Sequence, residues 1–242
     1  MSVFRNLLMP KHGYITEGLF HHFDAIDNVG TGIHDPNTTI WKDLVGSRDG
    51  TVLGGAPWRN GDSLEMLGNA ANTKVSFSGN IQPIINNGGD YTLTTVMYMV
   101  NTPVSGNAHP RICGDPQYPS IYFSTATAPG ALLHRIYFYG NPPDTNFQPH
   151  TYPNYLTRFD ITINYSATTK IVELYINGEY KANLPNVNPR TGTTTAYIGG
   201  NSTNTRCLTG HFCNYMVYNR KLSPHEIMQN FKTNKSRFHI PN

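Results

Sequence analysis

The chain has 242 residues, 18 basic against 15 acidic side chains, a net charge of +3 and only 14% charged residues. So thin and scattered a positive charge excludes phosphate backbone as the main partner. The length suits one large domain that buries about 70 to 75% of its unfolded surface. Gly (22), Pro (17), Tyr (15) and Phe (11) are abundant, as many strands joined by many turns require, so the composition predicts an all-β protein.

Residues 1–17 precede the first strand and are read as an N-terminal arm. Five large apolar residues, Val3, Phe4, Leu7, Leu8 and Met9, are costly to leave in water. The arm is therefore expected to dock on a neighbouring subunit through Phe4, Leu7, Leu8 and Met9. Leu7-Leu8-Met9, ended by Pro10, falls far short of a signal-peptide core. No stretch approaches the length of a membrane-spanning helix, so neither a signal peptide nor a transmembrane segment is expected.

From residue 18 onward, β-branched and aromatic runs recur at roughly ten-residue spacing between Gly, Pro, Asn and Asp clusters. They predict strands at residues 18–23, 39–43, 50–53, 74–77, 91–100, 120–124, 132–139, 157–165, 171–176, 194–198 and 211–218. In IVELYINGEYKANL, Asn177-Gly178 supplies the positive φ angles of a type I′ turn. A two-residue loop places Tyr175 opposite Tyr180 and Glu173 opposite Ala182. No 20- to 50-residue repeat is visible, so residues 18–242 are read as one domain.

Two long stretches, residues 102–119 and 140–155, carry aromatics between prolines. Loops of that length in a compact domain tend to be functional. Tyr118, Phe147, Tyr152 and Tyr155, with Asp115, Asp144 and Asn154 nearby, have the chemistry to stack on sugar rings and hydrogen-bond their hydroxyls. They could equally pack against another subunit or pin their own loops. Cys113, Cys207 and Cys213 cannot all pair and form no C-x-x-C, which fits buried thiols in a reducing compartment.

The chain closes with a strand that runs into a helix, read as residues 223–234. Ser223 is the N-cap, Pro224 sits at N1 where its missing N–H costs nothing, and Glu226 at N3 completes a capping box. Leu222 and Ile227 take the staple positions. Ile227, Met228 and Phe231 form a short apolar stripe, so the helix is expected to lie as a lid on the end of a sandwich. In the preceding strand Phe212 and Tyr215 break the period-two phase, which predicts a bulge between them.

The run GHFCNYMVYNRKLSPHEIMQNF resembles the closing motif of concanavalin A-like, laminin-G-type lectin/glucanase domains. WKDLVGSRDGTVL and VELYINGEY resemble two earlier signatures of the same family, in the family's order. The resemblance implies an all-β, two-sheet antiparallel jelly-roll sandwich with one short C-terminal helix. It does not imply one activity, since such folds host hydrolases, lectins and structural modules. EGLFHHFDAIDN and NFKTNKSRF are further similar to bacteriophage virion and phage-tail-like particle proteins. That resemblance implies a multi-copy virion component of the head or tail, assembled in the host cytoplasm with other virion proteins.

Glycosidases of this fold place their carboxylates on one strand as Glu-x-Asp-x-Glu or Glu-x-Asp-x-x-Glu. The five glutamates, Glu17, Glu65, Glu173, Glu179 and Glu226, form no such trio, so a non-enzymatic protein is expected. His21 and His22, adjacent in a strand, point to opposite faces and cannot share a metal. Asp24, Asp27, Asp43 and Asp49 gather near turns where calcium sits in some such lectins. They lack the spacing of a defined calcium loop and read as turn and cap residues, so no cofactor is expected. The readings carried forward are a virion structural protein, a glycan-binding adhesin for host surface polysaccharide and, more remotely, a glycosidase with an unusual site.

Overall fold

A computed structural model describes residues 13–77, 89–100, 111–114, 156–187, 197–204 and 206–242, together with the strands at 120–125, 134–139 and 145–146. The described residues form a sandwich of two antiparallel sheets, and among them is one α-helix. In chain order the strands are β1 (Leu19–Asp24), β2 (Ile40–Trp41), β3 (Gly50–Leu53), β4 (Trp58–Arg59), β5 (Ser63–Leu67), β6 (Lys74–Phe77), β7 (Tyr91–Met99) and β8 (Arg111–Cys113). There follow β9 (Ser120–Thr125), β10 (His134–Tyr139), β11 (Thr145–Asn146), β12 (Phe159–Ser166), β13 (Ile171–Ile176), β14 (Glu179–Leu184), β15 (Tyr197–Ile198), β16 (Thr209–Phe212) and β17 (Asn214–Tyr218). The helix α1 spans Pro224–Arg237, beyond the end expected at residue 234.

One sheet runs β14-β13-β12-β7-β16-β5-β4, with β17 also paired to β7 and β1 to β17; the other runs β11-β10-β9-β8-β15-β6-β3-β2. Alternation along β7 shows how the core forms. Tyr91, Leu93, Met97 and Met99 join the cluster between the sheets, whereas Thr92, Thr94 and Tyr98 face outward. Phe23 of β1 meets Trp41 of β2 at 5.8 Å and Phe77 of β6 at 5.1 Å, which keys the first sheet to the second. All three cysteines are buried thiols outside any disulfide, and burial pushes the Cys213 thiol up to about 12.

The last strand breaks where its phase changes. Cys213 separates β16 from β17, its N–H reaching the Val96 carbonyl and its own carbonyl accepting from Ala25 N–H. Phe212 and Tyr215 thereby both face the core, and pairing passes from β5 to β1. The Asn177-Gly178 turn has both residues at positive φ (52° and 74°), and Tyr175 pairs with Tyr180, their rings 5.6 Å apart. Further along, a register shift between Leu174 and Tyr175 corrects one expectation: Glu173 pairs with Asn183, and it is Leu174 that faces Ala182.

The capping box at Ser223 and Glu226 forms with Pro224 in the first turn, and Leu222 and Ile227 pack together. Glu226 also takes the Arg220 guanidinium, which with the Ser223 bonds holds its carboxyl down at about 2. The position of α1 is not the expected one. It lies over the outer face of β7, β12 and β17, and its fully covered side chains are Ile227, Asn230 and Asn234 instead of an apolar stripe alone. The sheet beneath presents Thr94, Asp160, Thr162, Asn164 and Asn214, and such polar groups require polar partners from whatever covers them. Residues 13–17, the last of the expected arm, run along α1: Tyr14 Oη donates to Asn234 Oδ1 at 2.7 Å and Ile15 N to Asn230 Oδ1 at 3.0 Å. Among the described residues no helix is long and apolar enough to cross a membrane.

Candidate functional site

The sugar or partner contacts expected at Tyr118, Phe147, Tyr152, Tyr155, Asp115, Asp144 and Asn154 lie outside the described residues, as do the arm residues Phe4, Leu7, Leu8 and Met9. The described ends of the two loops nonetheless meet. Residues 101–110 follow Val100, whose N–H donates to the Thr209 carbonyl, and residues 140–155 lead to Leu156, whose N–H donates to the Met99 carbonyl at 2.9 Å. Val100 and Leu156 thus meet at the end of β7, while β8 and β11, both strands of the other sheet, interrupt the two stretches expected as long loops.

Beside that end of β7, outside the footprint of α1, the outer face carries a row of polar side chains in which Ser63 and His211 are buried, Glu65 and Tyr98 half-buried and Arg59 exposed. Trp58, Leu64, Met66, Met97, Met99 and Phe212 face the core, so period-two alternation turns Arg59, Ser63, Glu65, Tyr98 and His211 outward. Register aligns them: His211 of β16 stands opposite Glu65 of β5 on one side and Tyr98 of β7 on the other, while Arg59 stands opposite Ser63. Gly210 permits the close approach of β16 to β7, since a Cβ there would meet the Tyr98 carbonyl oxygen at 2.3 Å.

The turn between β4 and β5 is Asn60-Gly61, both at positive φ, closed by Asp62 N–H to the Arg59 carbonyl at 3.1 Å. It brings Asp62 against Arg158, which enters just before β12 and forms a bidentate pair at 2.7 and 2.9 Å. Arg158 also donates to the Phe238 carbonyl, fastening the site to the end of the α1 region. Arg59 Nε donates to Glu65 Oε2 at 2.6 Å. The His211 ring stacks on Tyr98 at 4.2 Å and 12°, with the Arg158 guanidinium 5.9 Å from the Tyr98 ring centre.

Ser63 Oγ lies 3.3 Å from both the Arg59 carbonyl and His211 Nδ1, and His211 Nε2 stands 3.9 Å from Glu65 Oε1. Burial, which outweighs the attraction of Glu65, together with the nearby Arg158 and Arg59 guanidinium groups, lowers the His211 pKa and favours the neutral ring. Ser63 is fully buried, so Ser63, His211 and Glu65 do not present a nucleophile to substrate despite their proximity. What the row offers is a set of acceptors and donors on a rigid sheet.

The acidic residues read as turn and cap groups behave so. Asp24 accepts from Ile26 N–H, Asp27 from Gly32 N–H, and Asp43 from the N–H groups of His22, Val45 and Gly46. Among the described residues no group of three or more His, Cys, Asp or Glu is placed to hold a metal ion.

Residues 86–228 match the model of the concanavalin A-like lectin/glucanases superfamily. The chain belongs to that superfamily, as the two-sheet sandwich and its closing motif require. No curated protein sequence matches it. Among solved structures it is similar to Trypanosoma rangeli sialidase in complex with the inhibitor DANA (TM-score 0.64, 18% identity) and in complex with sialic acid (TM-score 0.63, 17% identity); each alignment covers 90% of this chain and 33% of the sialidase. It is also similar to the botulinum neurotoxin serotype D binding domain (TM-score 0.63, 11% identity), covering 89% of this chain and 51% of that one. The chain thus spans about a third of the sialidases it matches.

These likenesses correct the expectation of a non-enzymatic protein. Solved sialidases share the fold, so the lack of a Glu-x-Asp-x-Glu run does not decide against glycoside chemistry.

Proposed function

We propose that this chain is a glycan-recognising β-sandwich and that it serves as a structural component of a bacteriophage particle, in the head or the tail. The observation that carries glycan recognition is the polar row on the outer face, with an exposed Arg59 and half-buried Glu65 and Tyr98 set around a buried His211, beside the end of β7. Planar polar side chains fixed by their neighbours and backed by an aromatic ring suit sugar hydroxyls. The sialidase complexes and the toxin binding domain support the same reading at the level of fold. The particle context rests on the resemblance of the two chain ends to phage virion proteins, with other virion proteins and further copies of this chain as partners.

Binding of the purified protein to candidate bacterial hosts and to their extracted surface polysaccharides, with and without calcium, tests the glycan reading. Saturable binding competed by a defined sugar is expected, weakened by Tyr152→Ala and Tyr155→Ala in the loops. No binding by folded protein at its particle oligomeric state would leave only the structural role. Deletion of residues 2–12, which spares the segment along α1, is expected to abolish incorporation into particles; normal incorporation would remove the arm as an anchor.

The sialidase likeness favours a second reading, glycoside cleavage. It requires sugar release from a bound polysaccharide that Glu65→Gln or Asp62→Asn abolishes.

A further inference from the structure

We propose that the outer face of the sheet holding β2, β3, β6 and β15 is a platform for a neutral, extended polysaccharide, a site beyond the polar row, which lies on the other sheet. Trp41, Val52, Val75, Phe77 and Ile198 face the core, so period-two alternation turns Ile40, Thr51, Leu53, Lys74, Ser76 and Tyr197 outward. Register draws four of them into one line across four strands. Ile40 stands opposite Thr51, Thr51 opposite Ser76, and Ser76 opposite Tyr197. Adjacent strands lie about 4.8 Å apart. That spacing is close to the advance of one pyranose residue along an extended chain, so a chain laid across the strands meets one side chain per sugar.

The side chains of the line match a sugar surface. Ile40 is exposed at one end and Tyr197 half-buried at the other, and both offer apolar surface to the CH faces of sugar rings. Between them Thr51 is exposed and Ser76 half-buried, and among the described residues neither hydroxyl has a hydrogen-bond partner. Each can donate one proton and accept another, as a sugar hydroxyl requires. Lys74 Nζ stands over the Tyr197 ring at 4.8 Å and steadies it.

Charge and area select the occupant. Lys74 is the one charged side chain among the outward six, and it is buried, its ammonium donating to the Asn201 carbonyl at 2.7 Å and to Asn204 Oδ1. A phosphate or uronate chain therefore meets no exposed cation along the line, whereas a neutral chain needs none. Six side chains are also few beside the roughly 20–30 residues that each partner brings to a stable protein interface, so a second copy of this chain fits the face less well than a sugar chain one residue wide.

The test is titration of the full chain with neutral β-1,4-linked gluco-oligosaccharides of one to six units and with polyuronate oligosaccharides of the same lengths. The line spans three inter-strand gaps, about 14 Å, so affinity for the neutral series is expected to climb to about four units and then level off. Thr51→Arg, which sets a long cation in the middle of an exposed strand face, is expected to abolish binding while the thermal melt stays cooperative. Tyr197→Ala is expected to weaken it about tenfold. Preference for the polyuronates, or affinity that ignores chain length, would overturn the platform. Binding by Thr51→Arg at the wild-type level would do the same, and if Arg59→Ala then removed it, the sugar would belong to the polar row and the glycan reading would stand. A wild-type dimer dispersed by Thr51→Arg in sedimentation would give the face to a second copy and overturn the proposal. No binding of either series by folded wild type would overturn the platform and leave the glycan reading to the host-polysaccharide assay.

Discussion

At the residue scale, single positions hold turns and contacts that no neighbour could supply. Gly178 is at φ 74°, and a Cβ there would approach the Phe231 ring at 2.9 Å, because the β13–β14 turn tucks under α1. Gly178→Ala adds left-handed strain to a clash with the helix, and a loss of roughly 1–2 kcal/mol is expected in urea unfolding. Ser223 caps α1 through Glu226 N–H and shares Glu226 Oε2. Ser223→Ala is expected to cost about 1 kcal/mol, seen as a lower thermal midpoint. The turn and the cap were readable beforehand, since Asn-Gly and Ser-Pro-x-Glu are local signals, whereas the contact of Gly178 with Phe231 was not. The equivalent signal at Asn60-Gly61 also lies in the sequence, and it alone could have revealed β4, β5 and the placing of Asp62.

At the element scale, α1 is held largely by polar contacts, with Asp160 at their centre. Its carboxylate accepts from Asn234 Nδ2 at 2.6 Å and from Thr162 Oγ1 at 3.2 Å, and burial pushes its pKa up to about 6 against those bonds. The folded state therefore holds a proton that the unfolded chain, with an ordinary carboxyl near 3.8, has released. The contribution of Asp160 to stability is complete below about 4 and is lost as pH rises through about 6, to the extent of ~3 kcal/mol. Asp160→Asn removes the charge and keeps one acceptor for Asn234, its amide donating to a Thr94 or Thr162 hydroxyl in place of the second. Urea unfolding across this range is expected to show the variant gaining on wild type as pH rises. A constant difference between the two would refute the assignment. The phase break at Cys213 was legible because Phe212 and Tyr215 could not both face inward on a regular strand. The seat of α1 was not: the sequence shows Ile227, Met228 and Phe231, and nothing local marks Asn230 and Asn234 as buried.

At the scale of the whole molecule, the two sheets are keyed by Phe23, Trp41, Trp58 and Phe77, aromatic residues from β1, β2, β4 and β6, which divide between the two sheets. Trp41 is fully buried between Phe23 and Trp58. Trp41→Ala is expected to cost 3–5 kcal/mol, an order-of-magnitude range for deleting a large buried aromatic, and to broaden unfolding as the sheets lose registry. Retention of wild-type stability would mean that the sheets are joined elsewhere.

The sequence by itself determined the all-β class, the I′ hairpin, the capped helix and the family, because each is written in residues adjacent in the chain or repeated at a fixed period. Only the tertiary structure decided where α1 lies and which side chains form the polar row. Glu65, Tyr98, Arg158 and His211 come from four separate segments, and they meet because antiparallel register places them side by side. Register depends on which strand lies beside which, a long-range choice set by packing of the whole core, and no local pattern records it.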